Sequence, residues 1–160
     1  VFFEAKLYSD VILHIIYIFM NIYGWYFWLH GGRQKQEAKV TALADKWLAG
    51  TVAGSAIAML LLGYLMASRT DAAFPYGDAF TTTFSLSAQW LMSRKKLESW
   101  HFWIAVDVVA IYIYAVKGLH LTAGLYTAFL LMAIIGLQKW KQSMQQNPEI
   151  IEESALEPAV

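Results

Sequence analysis

A chain of 160 residues with 58 % hydrophobic side chains, 15 % charged ones and zero net charge is too poor in charge for an ordinary soluble domain, where roughly a quarter of residues are charged. Zero net charge also removes the electrostatic case for nucleic acid or an acidic partner. The absence of cysteine excludes a disulfide framework, thiolate metal ligation and cysteine lipidation.

Apolar runs dominate what remains. Val11–Gly32, Trp47–Ser68, Ala79–Ser93 and Gly118–Gln138 carry no Asp, Glu, Lys or Arg, and Ser99–Val116 is broken only by Asp107. A bilayer core asks for about 20 apolar residues per helix, within roughly 17–25. Three runs satisfy that outright, and flanking residues lengthen the other two. The expected architecture is an all-α helical bundle in a membrane, with spans at 7–29, 47–68, 77–93, 99–116 and 118–139. These spans form a transmembrane domain, 1–143, followed by an acidic cytoplasmic tail, 144–160. The start in the apolar run Val1–Phe2–Phe3, with no initiator Met or signal n-region, reads as a truncated chain lacking earlier helices.

On the first span, Asp10, His14, Asn21, Trp25 and Trp28 step by four, seven, four and three, which places them on one helical face. Such a stripe in an apolar span suggests a cavity lining. Trp28, followed by His30 and Gly31–Gly32, also fits an interfacial anchor, and Asp10 fits the outer interface. Interhelical hydrogen bonding is the simpler role for His14 and Asn21. On the second span, Gly50, Gly54 and Ala58 form a small-residue ridge suited to helix packing or to an oligomer contact. A homo-oligomer is the expected assembly, with a trimer as one candidate form.

The third span is oddly polar: Thr81, Thr82, Thr83, Ser85, Ser87 and Gln89. Hydroxyls can bond back to their own helix, whereas Gln89 cannot do so as readily and is a lining candidate. Pro75, Gly77 and Asp78 read as a loop and helix start, with Asp78 as N-cap. The fourth span carries Trp100, Trp103, Asp107 and Tyr114, stepping by three, four and seven. Asp107 in lipid is costly and should face protein or water. An aromatic pair one turn from a carboxylate suits a planar cationic ring bearing hydroxyls, with cation–π attraction of about 2 kcal/mol when desolvated.

Lys and Arg set orientation. Arg33, Lys35, Lys39, Lys46, Arg94, Lys95, Lys96, Lys139 and Lys141 fall on one side, against Lys6, Arg69 and Lys117 on the other. The N-terminus is therefore expected outside and the C-terminus in the cytoplasm. Sliding the first span onto the fifth by 112 residues pairs Leu7 with Leu119, Leu13 with Leu125, Met20 with Met132, Gly24 with Gly136 and Trp28 with Trp140. The shared Gly, three residues, Trp pattern at a helix end suggests a parallel repeat of three-helix units joined by a linking helix.

Several blocks resemble the PnuC family of bacterial nicotinamide riboside transporters. They are Leu7–Tyr8 with Asn21–Trp28, then Phe74–Asp78, Arg94–Trp103 with Asp107, and Lys117–Tyr126 with Gly136 and Trp140. The resemblance covers about 3–143. It implies a SWEET-like three-plus-one-plus-three arrangement with the first two helices absent from this chain. It further implies facilitated uptake of nicotinamide riboside, an NAD precursor, through the inner membrane, with trapping by cytoplasmic phosphorylation. The expected substrate-binding residues are His14, Asn21, Trp25, Trp28, Gln89, Trp100, Trp103, Asp107 and Tyr114, with no cofactor and no metal. His14 stands where glutamine is expected in many relatives, and an imidazole can charge near neutral pH.

Alternatives remain open on the cargo, since relatives are thought to carry thiamine or riboflavin, and on a non-transporting receptor of the same fold. The histidines show no H-E-x-x-H spacing, and neither a G-x-S-x-G nor a P-loop is present, which argues against an enzyme or an ATP-driven pump.

Overall fold

The computed structural model describes residues 2–31 and 37–146, with side chains in the first helix from residue 14 onward. Five helices follow in order: α1 (Phe2–His30), α2 (Asp45–Arg69), α3 (Pro75–Ser93), α4 (Ser99–Val116) and α5 (His120–Gln145). Among the described residues there is no strand, only an isolated parallel bridge between Thr41 and Lys96. Helices α2, α4 and α5 are long and apolar enough to cross a membrane. Helix α3 spans 19 residues, but its hydroxyl side chains keep it out of that set. The fifth helix runs past residue 143 into the expected tail, because Lys139–Gln145 holds no helix breaker before Asn147–Pro148. The acidic tail from 147 lies outside the described residues.

Helix α3 starts at Pro75, whose fixed φ suits the first turn, with Phe74 at the N-cap and no side-chain cap. Asp78 is therefore not the cap that the sequence suggests. It sits inside the first turn and pairs with Lys117 at 3.3 Å. At the other end, Lys95 takes φ +55° and the Lys96 N–H reaches Leu91 O at 2.9 Å. That left-handed closure usually uses glycine. The equivalent turn after α4 does use it: Gly118 has φ +73°, and the Leu119 N–H bonds Tyr114 O at 2.9 Å.

Helix α3 is the hub, packed on α1, α2 and α4, while α5 packs on α4. Most of its hydroxyls bond back to their own helix, as Thr81, Thr82 and Thr83 do. Two also reach across to neighbouring helices: Ser85, which donates to Thr82 O at 3.0 Å, meets the Tyr17 hydroxyl at 2.8 Å, and Ser87 meets Ser55 at 2.7 Å. Gly63 of α2 leaves room for the Tyr76 ring. The small-residue ridge behaves differently from the packing role it suggests, since nothing lies within 4 Å of where a Cβ would sit on Gly50 or Gly54. Helix α2 meets α3 through Ser55 and Gly63, a different face.

The core gathers at one end, where Leu43, Ala88, Leu91 and Phe102 are buried with Leu48, Phe84 and Trp103 against them. Leu43 comes from the segment 37–44, which folds onto the turn 94–98. Thr41 N–H bonds Lys95 O at 3.2 Å, Leu97 N–H bonds Thr41 O at 2.9 Å, and Leu43 N–H bonds the Glu98 carboxylate at 2.9 Å. Lys95 Nζ adds a bond to Ala38 O at 2.7 Å. Two interhelical segments are thereby fastened together beside the ends of α1 and α3.

Candidate functional site

A cleft of about 270 Å³ opens between α1 and α3, lined by Met20, Asn21, Gly24, Trp25, Trp28, Gln89, Met92 and Ser93. Small-molecule pockets run from roughly 300 to 1,000 Å³, so this space suits one planar ring with small substituents. Its apolar wall follows from the membrane sequence, and its polar groups are two amides. Gln89 Nε2 donates to Asn21 Oδ1 at 3.0 Å, and Asn21 Nδ2 donates to Tyr17 O at 2.8 Å. The helices come close because Gly24 lies against Ser93, where a Cβ would stand 2.9 Å from the Ser93 Cβ.

Trp28 is fixed on several sides. Its Nε1–H donates to Met92 O at 3.1 Å, Lys95 Nζ lies 5.0 Å from its ring centroid, and Trp140 meets it edge-on at 5.9 Å. Trp25 stands 71 % exposed at the cleft's outer lip. An indole face favours a planar cation, and the paired amides can both donate and accept hydrogen bonds. The cleft therefore has the chemistry to hold a flat, positively charged ring that carries hydroxyl or amide groups.

A second polar centre lies along α4 and α5, which pack on each other. Asp107 is 2 % exposed. Tyr114 of α4 stacks on Tyr126 of α5 at 5.3 Å, and the Tyr17 hydroxyl of α1 meets Ser85 of α3 at 2.8 Å. Sequence reasoning passed over Tyr17 and Tyr126. Tyr17 could have been found, since it lies three residues after His14 and four before Asn21, on the same helical stripe. Tyr126 offered no such signal, since no polar residue lies at helical spacing with it in the apolar stretch that follows, 128–137.

The nine expected site residues are thus divided. Asn21, Trp25, Trp28 and Gln89 meet in the cleft. Asp107 and Tyr114 belong to the second centre. Trp100 reaches Trp28 only through Trp140, whose ring lies 5.3 Å from it at 82°. Trp103 packs on the Leu43–Phe102 core and does not line the cleft. His14 is exposed on α1, and the Asp10 side chain lies outside the described residues. Trp140, the repeat counterpart of Trp28, is wedged between two other indoles.

Comparison with known proteins places the chain. The family model described as nicotinamide mononucleotide transporter matches residues 1–142. The nicotinamide riboside transporter PnuC of Escherichia coli K12 is 26 % identical, over 92 % of this chain and 72 % of its own length. The corresponding PnuC of Neisseria mucosa is 29 % identical over 71 % of this chain and 45 % of its own. The riboflavin/roseoflavin transporter RibM of Streptomyces davaonensis is 22 % identical over 74 % and 57 %. No solved structure matches. With three helices fit to cross a bilayer and a family match over most of its length, the chain is a multi-pass membrane protein of the nicotinamide mononucleotide transporter family.

Proposed function

We propose that the protein carries nicotinamide riboside across the bacterial inner membrane by facilitated diffusion, the cargo being trapped by phosphorylation in the cytoplasm. The observation that carries this reading is the cleft, where the Asn21–Gln89 amide pair stands beside Trp25 and Trp28. The pyridinium ring of nicotinamide riboside is planar and cationic, as an indole face prefers, and its ribose hydroxyls suit the amides. Asn21, Trp25, Trp28 and Gln89 are the direct contacts. Asp107 and Tyr114 form the next polar station, Trp100 backs Trp28, and His14 and Trp103 enter only as the helices move.

In this reading all five helices cross the membrane, with α3–α5 as one three-helix unit, α2 as the linker and α1 in the other unit. The two helices that complete that unit are not among the five described. The units rock about the site in alternating access. The uncovered Gly50–Gly54 ridge is the contact of a homotrimer. Riboflavin is the second reading of the cargo, favoured by the similarity to RibM.

Calorimetric titration of the detergent-purified protein with nicotinamide riboside, thiamine and riboflavin tests the proposal, together with uptake into proteoliposomes. Binding and uptake of nicotinamide riboside alone support it. Binding of another vitamin changes the cargo, and binding without uptake makes the protein a receptor.

A further inference from the structure

The repeated Gly, three residues, Trp pattern has a physical use in both copies. In α1, Gly24 admits Ser93 of α3, and Trp28 one turn on lines the cleft. In α5, Gly136 admits the Trp100 ring, which a Cβ at that position would overlap. One turn on, Trp140 inserts between Trp100 and Trp28, at ring distances of 5.3 and 5.9 Å and interplanar angles of 82° and 61°. The two repeat-related tryptophans therefore meet each other at the end of the bundle where the 37–44 and 94–98 segments are fastened.

We propose that Trp140 is a positioning residue, which holds the Trp28 indole at the angle that presents its face to the cleft. Trp28 has three rigid neighbours. Met92 O fixes its N–H, Lys95 Nζ lies over its ring, and Trp140 supplies an edge. The first two belong to α3 and the turn after it, so they cannot report on α5. Among the ring contacts of the described residues, Trp140 is the one that ties the cleft's indole to α5, and Trp100 of α4, seated on Gly136, braces it from behind. Edge-to-face geometry is directional, so the loss of Trp140 frees a rotation of Trp28 that a bond to Met92 O does not by itself prevent.

The binding arm of the test rests on the cleft being the substrate's seat, so a ligand-independent arm accompanies it. With 5-fluorotryptophan incorporated, the fluorine resonance of Trp28 is assigned by its loss in Trp28→Phe. In Trp140→Ala, the Trp28 resonance should broaden or split as the ring gains a second orientation, while that of Trp90 stays single. A single sharp Trp28 resonance overturns the proposal whatever the cargo. For nicotinamide riboside, Trp140→Ala should weaken binding about fivefold to tenfold, the scale of one oriented aromatic pair. Trp140→Phe should restore most of the affinity. In a Trp28→Ala background the same Trp140→Ala change should alter affinity by less than about twofold, since coupled sites are non-additive. Full additivity means that Trp140 acts through general stability, and the proposal fails. If Trp140→Ala does not fold, Trp140→Leu takes its place. A wild-type protein that ignores nicotinamide riboside while Trp28 still broadens in the variant sinks the cargo and leaves the positioning role standing.

Discussion

Trp28 and Trp100 lie at the same end of the bundle and share Trp140 as a neighbour, but their indole N–H groups fare differently. The Trp28 N–H donates to Met92 O at 3.1 Å. The Trp100 N–H is buried with no hydrogen-bond partner among the described residues, because Gly136 and Trp140 surround its ring with hydrocarbon. A hydrogen bond contributes about 1 kcal/mol net, whereas an unmet buried donor costs roughly 1–3 kcal/mol. Replacing either residue by Phe removes similar ring area, so the difference between them isolates the N–H. Trp28→Phe should therefore destabilise the protein by roughly 2–4 kcal/mol more than Trp100→Phe. Thermal denaturation of the two variants in one detergent measures this. A larger loss at Trp100 means that packing against Gly136 outweighs the orphaned donor.

The fastened segments 37–44 and 94–98 carry the clearest pH-dependent element. Burial pushes the Glu98 carboxyl above its ordinary range, and the bonds from the Glu98 and Leu43 backbone N–H groups only partly offset this. An acid whose pKa is raised on folding adds stability below its unfolded pKa, and that contribution is lost as pH rises through the folded value. Stability from this site should thus be greater in mild acid than at neutral pH. Glu98→Gln keeps an oxygen for the Leu43 N–H, which Glu98 accepts at 2.9 Å, and removes the charge. Its melting temperature should equal or exceed the parent's near pH 7, and should respond less to acidification towards pH 5. A variant that melts well below the parent at neutral pH shows that the carboxylate's charge, not its oxygen, holds the segment. None of this fastening was legible in the sequence, since 37–44 and 94–98 are remote in the chain and lack a shared pattern. The helices themselves were legible, because apolar run length is a strong signal. Their inward faces were not. A helix as apolar as α4, charged only at Asp107, carries apolar residues on every side. Polarity therefore does not separate its core face from its cleft-side face, and Trp103 read as equal to Trp100 although it packs in the core. In α1 the polar residues did mark a face, and there Asn21 and Trp28 reach the cleft as the spacing suggests.

At the scale of the whole molecule, successive helices alternate direction, and the two ends differ in charge. One end holds the fastened segments with Lys95 and Lys96, together with the Trp28, Trp140 and Trp100 chain. The other holds the Lys117–Asp78 pair, at 3.3 Å, and the Gly118 turn. Nine of the twelve Lys and Arg residues belong to the first end by the expected topology, and cytoplasmic loops are the ones enriched in such residues. The fastened end should therefore face the cytoplasm, which under the proposed uptake puts the closure beside Trp28 on the release side. Because the chain has no cysteine, a single introduced thiol reports side without background. Lys39 is exposed in the fastened segment, and Leu119 is 49 % exposed at the opposite turn. In spheroplasts, Leu119→Cys should react with a membrane-impermeant maleimide at once, whereas Lys39→Cys should react only after permeabilisation. The reverse pattern inverts the protein in the membrane. The Trp28 end would then be the entry side, and charge in the loops would not be what orients this chain.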